Sequence, residues 1–339
     1  ATSVKPHILY IFGVLHVAKK RKTGGETVRI SVIFTGGTIG SVRDAGGTIS
    51  PSGSGVRELT DFFDAAAKEH SLQSFSPVNV LSECITLADI GEIIACVRMA
   101  QSGSDAVIIT HGTDSLAYSA SALAYCLAGI EIPVVIVSSG YVLSDPRANG
   151  LANLADALTF CRGADGGVYV VWNGKIHRGT RLCPPRAYTD EVQSICGLHY
   201  ADITGGTAVI NPCCGGNPDR ARAYPLPDGS RRVLMLAPAP ALDYSRIGGE
   251  YDAVLLTSYH SGTADTKSRS FSDFCRRLQL GGAKIFLHGS YPDADYESKS
   301  AYAALGIDLL PVMSPCAAYM KLLCADFADI KKSIASDIL

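Results

Sequence analysis

Val28-Arg29-Ile30-Ser31-Val32-Ile33-Phe34-Thr35-Gly36-Gly37-Thr38-Ile39-Gly40 opens as a β-branched apolar run and closes on a glycine-rich turn that carries two threonines. A short continuous apolar run bounded by glycine reads as a strand buried on both faces, the kind found inside a parallel sheet. Ala106-Val107-Ile108-Ile109-Thr110 reads the same way and runs into His111-Gly112-Thr113-Asp114-Ser115. Ligands of open α/β sheets bind beyond the carboxyl ends of the strands. The two turns therefore bring hydroxyls to one sheet edge.

Working outward, apolar runs alternate with helical patterns from Val28 to about Gly205, as in successive βαβ units. Leu116, Ala120, Leu123 and Leu127 recur at helical spacing, with Thr113 or Asp114 available as the N-cap. The strand 133–137, a helix 147–161 and the strand 167–172 continue the rhythm. Asn211-Pro212, Gly215-Gly216-Asn217-Pro218 and Pro225-Leu226-Pro227-Asp228-Gly229 interrupt it with turn chemistry. Strands at 233–236, 253–256 and 284–287 then alternate with helices near 269–280, 295–305 and 315–336. The expected fold is α/β in two domains: a larger N-terminal doubly wound, mostly parallel sheet plus a smaller C-terminal α/β domain. The expected division is an N-terminal extension 1–26, a catalytic domain 27–205, a linker 206–231 and a second domain 232–339.

A chain of 339 residues with 47% apolar composition has enough material for two cores. The net charge of -2 and pI near 6.5 supply no basic field for nucleic acid. Eleven cysteines, an odd number without a Cys-x-x-Cys pair, read as reduced, mostly buried thiols of a cytoplasmic protein. The eight histidines are dispersed without metal-ligand spacing, so neither a metal nor a cofactor is expected. His7 to Ala18 is apolar but shorter than the ~20 residues that span a bilayer, and its basic run, Lys19 to Lys22, follows rather than precedes it. An extra strand or arm is expected there, and no membrane partner.

A threonine hydroxyl is a weak nucleophile unless a base or electrostatic partner assists it. In the first turn Gly36, Gly37 and Gly40 allow close backbone approach, and N–H groups of such a loop can hold an oxyanion. Asp114 in the second turn suits the ammonium of an amino acid. Taken alone, each turn is equally consistent with plain strand-to-helix geometry and helix capping.

Together, Thr35-Gly36-Gly37-Thr38-Ile39 and His111-Gly112-Thr113-Asp114 resemble the paired motifs of the bacterial-type L-asparaginase and glutaminase family, in particular its asparaginase I-like members. The similarity extends through 118–123, 133–138, 146–154 and 173–179, with Tyr259 to Ala264 matching a segment of some members. It covers most of residues 28–330. The resemblance implies a two-domain amidohydrolase that converts L-asparagine to L-aspartate and ammonia through an acyl-threonine. By position it implies Thr38 as nucleophile, Thr113 and Asp114 as the second catalytic motif, and Ser82 with Glu83 on the substrate's α-carboxylate. Gly37 and Gly112 line the substrate, and a homodimer or homotetramer is implied.

Two positions depart from the family. Thr48 stands about where a mobile-loop tyrosine is usual, with Tyr188 a candidate replacement. No lysine follows Arg178-Gly179: an ungapped reading places Pro184 there, and a two-residue insertion places Arg186 there. Arginine keeps the charge but stays protonated and cannot act as a base near pH 7. Slower turnover is therefore an expectation. The alternatives are an asparagine- or aspartate-binding protein with impaired catalysis and the asparaginase-like subunit of a tRNA-dependent amidotransferase. Neither Gly-x-Gly-x-x-Gly nor a Walker loop is present to suggest a nucleotide.

Overall fold

The computed structural model describes residues 10–11, 14–15, 27–52, 56–214, 222–291 and 296–339. β1 (Tyr10–Ile11) and β2 (Val14–Leu15) pair antiparallel. The rest of the expected N-terminal extension lies outside the described residues.

The first sheet begins with β3 (Arg29–Phe34), from which a small hairpin, β4 (Ser41–Arg43) and β5 (Ile49–Pro51), and helix α1 (Arg57–Ala66) follow. Next come β6 (Ser71–Phe75), α2 (Leu87–Ala100), β7 (Ala106–Thr110), α3 (Leu116–Cys126), β8 (Pro133–Val137), α4 (Gly150–Cys161) and β9 (Gly167–Trp172). β10 (Lys175–Arg178), β11 (Ala201–Thr204) and β12 (Thr207–Ile210) close it. Its order is β12-β11-β10-β9-β8-β7-β3-β6, parallel from β6 to β9 and antiparallel from β9 to β12.

Burial follows from the strand alternation. Val107, Ile109, Val134 and Ile136 face α2 and α3, whereas Ile108, Val135 and Val137 face the α1 and α4 side, so helices cover both faces. All five residues of β7 and of β8 are buried, which explains why each reads as an unbroken apolar run. α2 starts on a capping box in which Thr86 and Asp89 satisfy each other's backbone N–H groups, an arrangement typically worth about 1 kcal/mol.

A second, all-parallel sheet contains β13 (Val233–Leu236), β14 (Ala253–Thr257), β15 (Lys284–His288) and β16 (Ile307–Leu309). α5 (Arg269–Leu280) and α6 (Glu297–Ala304) cover one face through Phe271, Phe274 and Tyr302. α7 (Pro315–Cys324) covers the other. Its buried residues share one core with α3 and with Leu255 and Phe286, so the two lobes are joined through α7 rather than by a linker alone.

Three boundaries differ from the sequence reading. The expected linker 206–231 contains β12, because Thr207 to Ile210 pair back on β11 as a hairpin. The expected helix 147–161 starts at Gly150, and Arg147 instead turns back on Asp145 through two side-chain hydrogen bonds. The expected helix 315–336 ends at Cys324, where the Arg231 guanidinium donates to the carbonyls of Leu322 and Ala325 and takes over the terminal acceptors.

Candidate active site

After β3 the chain turns sharply. Gly36 bridges to Val80, and Gly37 adopts φ 68° and ψ -177°, a region open essentially to glycine alone. A Cβ on Gly37 would lie 2.2 Å from the Gly112 nitrogen, and one on Gly112 would lie 2.4 Å from Ser82 Oγ. The motif after β3 and the motif after β7 therefore meet backbone to backbone, and the 3-10 turn Ser82–Cys84 joins them through the Ser82 side chain. Glycine is required there because the three segments leave no room for a side chain.

The four motif threonines divide cleanly. Thr35 is buried and donates to the Thr110 carbonyl at 2.6 Å, and the Thr110 hydroxyl is buried without a partner among the described residues. Thr38 and Thr113 are half-buried, and their hydroxyls make no hydrogen bond to a described residue. Thr38 begins a 3-10 turn, Thr38–Gly40, pinned by Ser41 Oγ donating to the Gly37 carbonyl at 2.6 Å.

Ser82 organises the second motif. Its hydroxyl donates to Asp114 Oδ2 at 3.0 Å and accepts from the Asp114 amide at 3.1 Å, while Ser115 Oγ donates to the Ser82 carbonyl at 2.7 Å. The expected cap of α3 by Thr113 or Asp114 is thus not formed: Ser115 is at the cap position, and Asp114 turns to a residue 32 positions away. His111 is buried behind the motif. Its Nδ1 is 2.8 Å from the Gly112 carbonyl, and burial lowers its pKa.

Of the first turn's amides, two are engaged elsewhere, while those of Gly36, Thr38 and Ile39 have no acceptor among the described residues. The Gly37 amide donates to Val80 O and the Gly40 amide to Gly37 O. The amides of Gly112 and Thr113 have no acceptor among the described residues.

The remaining expected site residues stand apart. Glu83 is exposed on the same 3-10 turn as Ser82. Thr48 lies at the tip of the β4–β5 hairpin, exposed, with its amide on Asp44 Oδ1. Arg186 and Tyr188 are exposed on the segment 183–194, and neither a hydrogen bond nor an ion pair joins Arg186 to Asp114. Two nearby arginines, Arg178 and Arg181, are engaged in structure. Arg178 stacks 4.5 Å from the Tyr200 ring centroid, and Arg181 donates to the carbonyls of Ser336 and Ile338. His260 is exposed in a loop of the second lobe, where Tyr259 pairs with Thr263.

One buried lysine escaped the sequence reading. Lys321 lies on α7, fully buried, 2.7 Å from Asp337 Oδ2, which also accepts from the Tyr125 hydroxyl at 2.9 Å. Tyr125 is at the far end of α3 from Asp114. At 1.5 Å rise per residue Tyr125 stands about 15 Å from the motif, and Lys321 Nζ lies 5.9 Å from the Tyr125 ring centroid, at that far end of the helix.

Residues 29–209 match the family model described as Asparaginase, N-terminal. The chain is 32% identical over 178 residues to an L-asparaginase of Thermococcus kodakarensis, covering 52% of this chain and 53% of that protein. It is 31% identical over 162 residues to L-asparaginase 1 of Escherichia coli K12, covering 47% and 48%. It is also 32% identical over 174 residues to a glutamyl-tRNA(Gln) amidotransferase component of Saccharolobus islandicus, covering 48% and 39%. The alignments thus span about half the length of these curated relatives or less. The fold agrees more widely: a solved L-asparaginase I of Vibrio cholerae superposes with a TM-score of 0.75 at 19% identity, over 93% of this chain and 100% of that one. The L-asparaginase of Thermococcus kodakarensis gives 0.74 at 24%, over 92% and 99%. With the family model covering more than half of its length and both threonine motifs, this chain belongs to the asparaginase family.

Proposed function

We propose that this protein hydrolyses the side-chain amide of L-asparagine to L-aspartate and ammonia, with Thr38 as the nucleophile. The observation that supports this reading is the meeting of Gly37, Gly112 and Ser82, which brings together the two turns that carry Thr38, Thr113 and Asp114. The Thr38 hydroxyl attacks the amide carbon, and its proton leaves toward the Thr113 and Asp114 side. The C–N bond breaks with proton delivery to nitrogen, releasing ammonia and leaving an ester on Thr38. Water then hydrolyses the ester to aspartate and restores the hydroxyl. The free amides of Gly112 and Thr113 are the candidate oxyanion donors.

In this reading Asp114 holds the substrate ammonium. Ser82, with both its donor and acceptor directed at Asp114, orients that carboxylate rather than gripping the α-carboxylate itself. Release of ammonia and aspartate from L-asparagine, measured with D-asparagine and L-glutamine alongside, tests the activity. Thr38→Ala should lower turnover by at least about 10³-fold while the protein still binds L-aspartate. An unchanged rate removes Thr38 as nucleophile.

A second reading is favoured by one observation: among the described residues no lysine or arginine is bonded to Asp114, so proton transfer lacks the family's base. The protein would then be a binder of asparagine or aspartate with little turnover. Calorimetric binding of L-aspartate without ammonia release would select it.

A further inference from the structure

The segment 326–339 reaches across to the first lobe and grips it at two places. Asp337 accepts from Lys321 Nζ and from the Tyr125 hydroxyl through Oδ2, and from the Ile334 amide through Oδ1. Both charged side chains are fully buried, and Lys321 also donates to the Lys332 carbonyl. Two residues earlier, Ala335 and Ser336 sit at φ 51° and 57°, left-handed conformations that non-glycine residues adopt only when their surroundings enforce them. The enforcement is visible: Thr180 Oγ1 donates to the Ala335 carbonyl and Arg181 Nε to the Ser336 carbonyl at 2.7 Å. At its other end α7 donates from Ser314 Oγ to the Leu182 carbonyl.

The contacts that cross to the first lobe fall on two of its elements. One is α3, whose opposite end carries Asp114 and Ser115. The other is the turn 179–182, packed against α3 at Gly179 and leading into segment 183–194. We infer that Lys321, Asp337 and Tyr125 form an interlobe latch that positions α3, and with it the Asp114 carboxylate, from the second lobe. Asp337 is a positioning residue: it touches no substrate and acts through Tyr125 and Lys321. A helix held at one end by Ser82 and at the other by Asp337 has its axial placement set by both.

The effect on substrate rests on the asparaginase reading, so the test pairs an activity readout with one that needs no activity. Asp337→Asn leaves the Lys321 charge buried and unpaired, and the thermal midpoint should fall by roughly 10 °C. Lys321→Met with Asp337→Leu removes both charges and should restore most of that midpoint. Tyr125→Phe keeps the volume and removes only the hydroxyl. In the last two variants the amides of residues 116–120 should exchange hydrogen faster than in the parent. Their KM for asparagine should rise about tenfold with a smaller change in kcat, as expected of a displaced binding group. Parental exchange and KM in both variants would overturn the latch, leaving the pair a purely structural element. Faster exchange in a protein with no turnover at all would keep the latch and refute the asparaginase reading instead.

Discussion

The carboxyl edge of β3 and β7 and the latch beneath α7 handle polar groups in opposite ways. At the edge, Thr38 and Thr113 are half-buried residues whose hydroxyls have no partner among the described residues, and the Thr113 amide has none either. In the latch, both Asp337 oxygens are engaged and neither Lys321 nor Asp337 is accessible. Water can stand in for a ligand at the first place and cannot at the second. Unengaged polar groups cost little where solvent reaches them, and they remain available to bind. Buried charges must be saturated from within, because an unpaired charge there costs several kcal/mol.

The sharpest way to break this contrast is to fill the contact that creates the edge. Gly37→Ala places a methyl 2.2 Å from the Gly112 nitrogen in a conformation closed to alanine. Backbone strain and overpacking together should cost roughly 3 kcal/mol or more, measurable by denaturant unfolding. Turnover should vanish as well, since the two motifs part. Thr38→Ala should spare stability to within about 0.5 kcal/mol, because its hydroxyl bonds to no described residue. If Gly37→Ala kept parental stability, the backbone-to-backbone meeting of the motifs would be refuted.

His177 offers a third treatment of a buried polar group. It is 1% exposed, with Nδ1 2.8 Å from Ser194 Oγ, and burial, helped by His199, holds its pKa down at about 3. The latch pairs its buried charges, whereas this ring avoids charge. Below about pH 6.5 the unfolded chain binds a proton here that the folded chain refuses until about pH 3. Stability is therefore complete above pH 6.5 and declines as pH falls, by roughly 2 kcal/mol at pH 5. His177→Gln, which retains a partner for Ser194, should flatten the stability profile between pH 6.5 and 5 by about that amount. A profile identical to the parent's would assign the acid sensitivity elsewhere.

The elements legible in the sequence were those whose pattern is local. β7, β8 and β9 read as buried strands because helices cover both their faces, and the two motifs read as turns because glycines follow apolar runs. What was not legible depends on partners distant in the chain. The choice of Asp114 between capping α3 and bonding Ser82 is decided across 32 residues, and the Tyr125 to Asp337 bond spans 212. The length of α7 likewise depends on a distant residue: Arg231, 91 residues before Leu322, meets the carbonyls that end it. Lys321 carried no signal at all, since a lysine on a helix is ordinarily solvated and its burial requires an aspartate that only the fold supplies.

Arg186 marks the smallest expected effect and the finest distinction. Alignment with a two-residue insertion assigns it the place of the family lysine, which would make it the strong cation beside Thr113 and Asp114. The chain instead holds it exposed on segment 183–194, with no ion pair to Asp114. Exposed, unpaired arginines change stability by no more than about 0.5 kcal/mol when truncated. A guanidinium solvated in this way has no preorganised charge to lend a transition state. Arg186→Ala should therefore leave the thermal midpoint unchanged and asparagine turnover within about threefold of the parent, a barrier change below about 1 kcal/mol. A loss beyond tenfold would mean that segment 183–194 folds over the edge when substrate binds, carrying Arg186 to Asp114. The Asp114 carboxylate, which among the described residues accepts only from Ser82, would then acquire a cationic partner of the kind Asp337 already has in the latch.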